Sequence, residues 1–468
     1  MMVDWPVATP GPRRCNINNL THLVTEGEID LALWEEALRL TVHHEPHLRT
    51  DVDLISKPVS WIPATDFSTV FMFDDLRGSK AGESGVSGVW PLVEEEVNAA
   101  WDFGSGRPLY RHRLLRVSGG YMVMNIYHHS AGDGTTGMLA TGGILARYGA
   151  LVAGRKVEVT ALEPRVSVEE MTGAVEVEGG QVKVARLVRE KAERARHYRP
   201  VVQFSTEELA DCQASALPLN NTVWREGSAS SYLAVRARCR EQGVTVGSLV
   251  LAATYLAHGV QVALDKGVLP QLPGVLVDLP VNIRQNMTPA MGDEYCGLYI
   301  TEITTTADIG PESSLWGLAR VLGAQVKQRL AAQEHVVFSA VKEQFETGSE
   351  TAALANAVQP PHVLDVLVSN MRVVPFSLSQ DWGATVRAVH TAGSFWAPGF
   401  ANYLLLVQST NMFTYNMVHC PGTANSATAR RILDTVVQLV EEVAVGEEDP
   451  SLRKLMETWW QADLETTL

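Results

Sequence analysis

The stretch Tyr121–Gly137, YMVMNIYHHSAGDGTTG, limits what this chain can fold into more than any other. Met122, Met124 and Ile126 fall on one side and Val123, Asn125 and Tyr127 on the other, which is the period of a β-strand. Two histidines follow, and then a turn, Ser130-Ala131-Gly132-Asp133-Gly134. Met138, Leu139, Ile144 and Leu145 continue as a helix, with Thr135 or Thr136 as the expected cap. The predicted unit is a strand, a tight turn carrying polar side chains, and a helix.

Adjacent residues at a strand end leave on opposite faces, so His128 and His129 are expected to diverge. One can look into a cleft while the fold takes up the other. A neutral imidazole there can draw a proton from a hydroxyl or amine, because its pKa lies near working pH. Gly132 and Gly134 allow backbone angles that a Cβ would obstruct. Asp133 either orients an imidazole or ties the turn down through an ion pair. Three other readings compete. The polar residues can simply satisfy the turn's backbone. A metal is disfavoured, because diverging histidines without a Cys/His cluster lack the remaining ligands. Gly132–Gly137 also fits G-x-G-x-x-G, with Glu158 and Glu163 near the spacing of a ribose-binding acid, but two histidines are not part of that fingerprint.

His128-His129-Ser130-Ala131-Gly132-Asp133-Gly134 resembles the HHxxxDG motif of the acyltransferase superfamily that includes chloramphenicol acetyltransferase. Its branches include BAHD acyltransferases, fungal alcohol acetyltransferases, wax ester synthases and peptide-synthetase condensation domains. The resemblance implies that the second histidine, His129, is the general base, with His128 and Gly134 supporting the site. It extends to Glu45-Pro46-His47-Leu48-Arg49-Thr50 after an expected helix over Glu28–Thr50 capped by Asp30, and to a strand entered from Asp102–Arg116. His112 on that strand is expected to be packed, and His43 and His44 to complement a helix C-terminus. The strand Val275–Arg284 ends in Asn282-Ile283-Arg284, and the resemblance implies that Arg284 pairs with Asp133, making Asp133 structural. It places Ser369 and Asn370, on an expected strand over Leu364–Phe376, near a developing oxyanion. Asp381-Trp382-Gly383 is an incomplete form of the BAHD DFGWG motif.

The implied architecture is α/β: two chloramphenicol acetyltransferase-like lobes, each a mixed sheet with flanking helices, with an active-site tunnel between them. Residues 1–165 are the expected N-terminal lobe, 166–181 a linker and 182–468 the C-terminal lobe. Gly78–Gly88 is expected to be an exposed loop.

With 468 residues and a formal net charge of −15, the chain is long enough for two lobes and unsuited to nucleic acid. Five dispersed cysteines suggest reduced thiols. The N-terminus does not read as a signal peptide and no run of about 18 apolar residues reads as a membrane span, so a cytoplasmic monomer is expected. The expected function is stand-alone transfer of an acyl group from acyl-CoA, acetyl-CoA favoured, to a hydroxyl or amine of a small-molecule, secondary-metabolite acceptor. Acyl-CoA is then a co-substrate, with no permanently bound cofactor and no metal. The alternatives are a condensation-type enzyme using a carrier-protein donor, with Lys183–Arg196 as a docking stretch, and a degenerate binding member.

Overall fold

The structure, a computed structural model, describes residues 16–53, 60–164, 171, 220–287, 291–292, 295–336, 366–394, 403–419, 426–446 and 448–458. The expected linker (Met171 apart) and the Lys183–Arg196 stretch lie outside the described residues.

The chain opens with β1 (Asn16–Thr25) and α1 (Leu31–His44). Asp30 caps α1, its Oδ1 accepting the Ala32 and Leu33 N–H groups at 2.9 and 3.1 Å. Trp34, Ala37, Leu38 and Thr41 line its buried face, and the helix gives way at Pro46 to a single 3₁₀ turn. There follow β2 (Thr50–Asp53), β3 (Ser60–Pro63), β4 (Phe71–Asp75), α2 (Lys80–Glu83) and α3 (Val86–Asn98). Gly78–Gly88 is therefore not an open loop. Ser79 caps the short α2, and α3 starts at Val86 and buries Val89, Val93 and Val97. β5 (Tyr110–Val117), β6 (Gly120–His128) and α4 (Gly134–Val152) complete the first half.

The second half runs β7 (Asn221–Glu226), α5 (Ala229–Glu241), α6 (Val246–Lys266), β8 (Leu272–Asn282), β9 (Ile300–Ile309) and α7 (Leu315–Ala331). It continues with β10 (Val366–Val373), β11 (Ser379–Gln380), β12 (Ala384–Gly393), β13 (Tyr403–Ser409), β14 (Phe413–His419) and α8 (Ser426–Gln438). α6 is apolar and long enough to cross a membrane, but 89% of its most apolar window is buried inside the protein. It is a core helix, packed between β9, β10, α7 and α8.

Two six-stranded sheets form, in the orders β11-β12-β1-β6-β5-β4 and β7-β14-β13-β10-β8-β9. Both are mixed: β4 and β5 are parallel, as are β10 with β8 and with β13. Helices flank each sheet, giving two lobes. The division is not linear in sequence, because β11 and β12 return to the first sheet and β12 pairs with β1 over Ile17–Thr25. Residues 182–468 are therefore not one lobe. The central strand β1 carries Asn16, Asn18, Asn19, Thr21 and His22, all buried. Asn16 Nδ2 donates to the carbonyls of Glu96, Val97 and Ala99, which ties the strand to the end of α3.

The face of the second sheet that turns away from its helices meets the first lobe. Trp224 stacks on Trp90 with centroids 5.2 Å apart, Glu226 pairs with His390 at 2.9 Å, and Thr414 donates to the Val389 carbonyl.

Candidate active site

Strand β6 delivers the two histidines between β1 and β5, its Tyr121–His128 paired with Asn16–Leu23. His128 is fully buried. Its Nδ1 accepts from the Ser130 N–H at 3.2 Å and lies 2.6 Å from Ser130 Oγ, and its ring stands edge-on to Phe103 at 5.0 Å. A backbone N–H only donates, so in the neutral ring the His128 proton sits on Nε2. His129 is only partly buried, and its Nδ1 lies 2.9 Å from the Gly132 carbonyl oxygen. A carbonyl only accepts, so Nδ1 carries the proton and Nε2 holds the lone pair. The two adjacent rings are thus opposite tautomers, and the turn itself presents Nε2 of His129 as a base.

Asp133, rather than either threonine, caps α4. Its Oδ1 accepts the N–H groups of Thr135 and Thr136 at 3.1 and 3.2 Å. A carboxylate is drawn to a helix N-terminus, while Thr136 Oγ1 is committed elsewhere, accepting the Gly297 N–H at 3.0 Å. These N–H groups are the ones a dinucleotide pyrophosphate would need, so Gly132–Gly137 is not arranged as such a site.

Arg284 reaches Asp133 from the end of β8. Nη1 donates to Oδ2 at 2.7 Å and Nη2 to Oδ1 at 3.2 Å, with both side chains wholly buried. The remaining guanidinium bonds go to the carbonyls of Tyr295 and Gly297. The Tyr299 N–H adds a further bond to Oδ2 at 3.1 Å. Burial is the largest single influence on the Arg284 pKa and lowers it, but the charge and hydrogen bond of Asp133, with Cys296 and Tyr299, together outweigh it, so the net shift is upward. Asp133 is consumed by the helix cap and the arginine fork. His47 packs edge-on against Tyr299 beside this pair; burial, and then the Arg284 charge, push its pKa down to about 4.

His112 belongs to a buried chain in the first lobe. Trp34 Nε1 donates to its Nε2 at 2.9 Å, which leaves Nδ1–H to donate to Asn125 Oδ1, also at 2.9 Å. Tyr110 OH donates to the same oxygen, and Asn125 Nδ2 donates to Thr141 Oγ1.

Ser369 and Asn370 do not converge. Val366 and Val368 of β10 face the helices of the second lobe, so Leu367 and Ser369 face the first lobe and Asn370 turns back. Ser369 pairs with Leu406, which pairs with Asn416 and so with Trp224, all on the face between the lobes. Asn370 lies instead at the N-terminus of α6, where its Nδ2 is 2.9 Å from the place a Cβ on Gly247 would occupy. There it lines a cavity of about 450 Å³ with Tyr232, Arg236, Val246, Met371, Val373, Ser409 and Phe413. Among the described residues no group of His, Cys, Asp or Glu is placed to hold a metal.

Residues 229–387 match the family model described as the phthiocerol/phthiodiolone dimycocerosyl transferase C-terminus. No curated protein matches the chain in sequence. Solved structures do match over nearly its whole length. The first condensation domain of the CDA synthetase superposes with a TM-score of 0.70 at 16% identity, covering 95% of this chain and 94% of that one. The trichothecene 15-O-acetyltransferase of Fusarium sporotrichioides gives 0.69 at 14% identity, covering 94% of each chain. Polyketide synthase associated protein 5 of Mycobacterium tuberculosis gives 0.63 at 15% identity, covering 92% of this chain and 95% of that one. The chain has the two-lobe fold of these condensation-domain and acyltransferase structures.

Within that fold, the His128–Gly134 turn lies in the first lobe, where the second lobe reaches it through Arg284 and Met371. Sequence reasoning missed Gly297, Tyr299 and Met371, and read Thr136 only as a helix cap. Thr136 and Gly297 exchange two hydrogen bonds, since Thr136 Oγ1 also donates to the Gly297 carbonyl at 3.2 Å. No spacing in the sequence signals those contacts, which span 161 residues.

Proposed function

We propose that this chain is an acyltransferase that moves an acyl group from a pantetheine thioester to a hydroxyl or amine of a small-molecule acceptor, with His129 as general base. The observation that carries this reading is the tautomer of His129. Its Nδ1–H is held by the Gly132 carbonyl, which makes Nε2 the proton-accepting nitrogen of the neutral ring. Nε2 takes the acceptor's proton as the nucleophile attacks the thioester carbonyl. The tetrahedral intermediate then collapses with C–S cleavage, and the departing thiolate recovers the proton from His129. Ser369, on the face between the lobes, supplies a hydroxyl donor for the oxyanion. Arg284 holds Asp133 in its structural role, and no covalent acyl-enzyme is needed.

A carrier-bound thioester is the donor favoured here. Several of the similar solved structures are condensation or epimerization domains of the calcium-dependent antibiotic and tyrocidine synthetases. Acetyl-CoA is the second reading, supported by the likeness to the trichothecene acetyltransferase and by a starter condensation domain solved with C8-CoA. The cavity beside Asn370, at the carboxyl ends of the parallel strands β10 and β13 and the N-terminus of α6, suits the approach of a thioester arm from the second lobe.

The test is thiol release from acetyl-CoA, octanoyl-CoA and an acyl-loaded carrier protein against a panel of alcohols and amines. Acceptor-dependent release supports the reading, and the ratio of kcat/KM for carrier to CoA donors decides between them. No release from any donor with any acceptor contradicts it.

A further inference from the structure

Met371 belongs both to the cavity and to the motif turn. It lines the cavity with Tyr232, Val246 and Phe413. Its Cε also lies against Gly134, where a Cβ would sit 2.4 Å from Cε and 3.1 Å from Sδ. It packs in the first-lobe core with Tyr127 and Met138, although its strand belongs to the second sheet. The ladder of β10 with β13 shifts register between Asn370 and Val373, an irregularity of the kind that re-aims a side chain beside a site.

We propose that Met371 is a specificity-determining partition between this cavity and His129, and that it admits slender, unbranched thioester chains while excluding branched ones. This rests on the acyltransferase reading above. The chemistry of the wall fits. Tyr232, Val246, Phe413, Met371 and Val373 form an apolar lining, and Arg236, Asn370 and Ser409 supply its few polar groups. A chain passing from the cavity toward the turn meets the thioether of Met371, an unbranched side chain with three rotatable bonds that can flatten along a straight chain. A branch beside the carbonyl needs width that Met371 occupies while it stands on Gly134. Neither the family motif nor the cap of α4 requires methionine at this position, so its width is a property of this chain.

The test uses binding, so that it does not depend on turnover. Pantetheine thioethers bearing an n-butyl or an isobutyl group are titrated into wild type and Met371→Ala by calorimetry. Wild type is expected to bind the straight-chain thioether more tightly, and Met371→Ala to shrink that preference by roughly tenfold or more, since one methyl in an apolar pocket is worth about 10–200-fold. Met371→Val, which keeps an apolar fill but ends at Cγ, serves where the alanine variant does not fold. The same preference in wild type and variant, or no binding of either thioether to wild type, overturns the proposal. Failure of the acyltransferase reading is separable: thioethers would bind with the expected preference, while thiol release would be indifferent to His129→Ala.

Discussion

Arg284 and Asp133, 151 residues apart, form a two-bond ion pair with neither side chain reaching solvent. The pair joins the end of a second-lobe strand to the N-terminus of the motif helix, so it fixes the turn that presents His129. Removing one partner leaves the other charge buried without compensation, which costs about 3–5 kcal/mol. Asp133→Ala is expected to lose that much stability in urea unfolding, with the α4 cap lost as well. An Asp133→Ala protein that kept wild-type stability yet lost activity would argue that the carboxylate acts in the chemistry instead.

Gly134 and Met371 meet so closely that a methyl on one needs space from the other. Gly134→Ala is expected to cost about 1–3 kcal/mol through overpacking. In the double variant Gly134→Ala/Met371→Ala the two losses should not add, with a coupling of at least about 0.5 kcal/mol. Strict additivity in a double-mutant cycle would show that the contact is not shared.

Ser369 and Asn370 should separate kinetically because they lie on opposite faces of β10. Ser369→Ala is expected to lower kcat by about 10²-fold, the scale of a lost oxyanion donor. Asn370→Ala, at the cavity wall, is expected to raise the KM for the donor while leaving kcat closer to wild type. Equal loss of kcat in both would contradict the divergence.

Stability should fall on acidification below neutral. Burial holds His112 and His258 at pKa values of about 4; for His22 burial, and then the Arg387 charge, do the same. The ordinary value is 6.5, so between pH 6.5 and about 4 the unfolded chain binds protons that the folded chain does not. Unfolding is therefore favoured as pH falls through that window, by on the order of 1.4 kcal/mol per pH unit for each histidine. Urea midpoints measured from pH 7 to pH 4.5 check this, and a flat profile would contradict it.

What could be read from the sequence was mainly local. The cap at Asp30, the strand entered from Asp102–Arg116 and the strand-turn-helix around His129 all rest on periodicity and turn chemistry within about twenty residues. β1 was not legible, since Asn16, Asn18, Asn19 and Thr21 break the apolar alternation that marks a strand. They are buried in a central strand because distant groups help to satisfy them: Asn18 bonds the Val93 carbonyl and Asn19 the Thr391 hydroxyl, 75 and 372 residues away. The return of β12 to the first sheet is equally non-local. The divergence of Ser369 from Asn370 was available from the period of two alone, whereas the contact of Met371 with Gly134 joins the two lobes and no spacing in the sequence announces it.

The measurement that bears most directly on the role of His129 is thiol release by wild type and His129→Ala on the same donor and acceptor, with circular dichroism confirming that both are folded. A partly exposed imidazole whose Nε2 is fixed as the base predicts a loss of about 10²-fold to 10⁴-fold in kcat in the variant. Equal turnover by the two proteins would contradict that role and, with it, the acyl-transfer mechanism built on this turn.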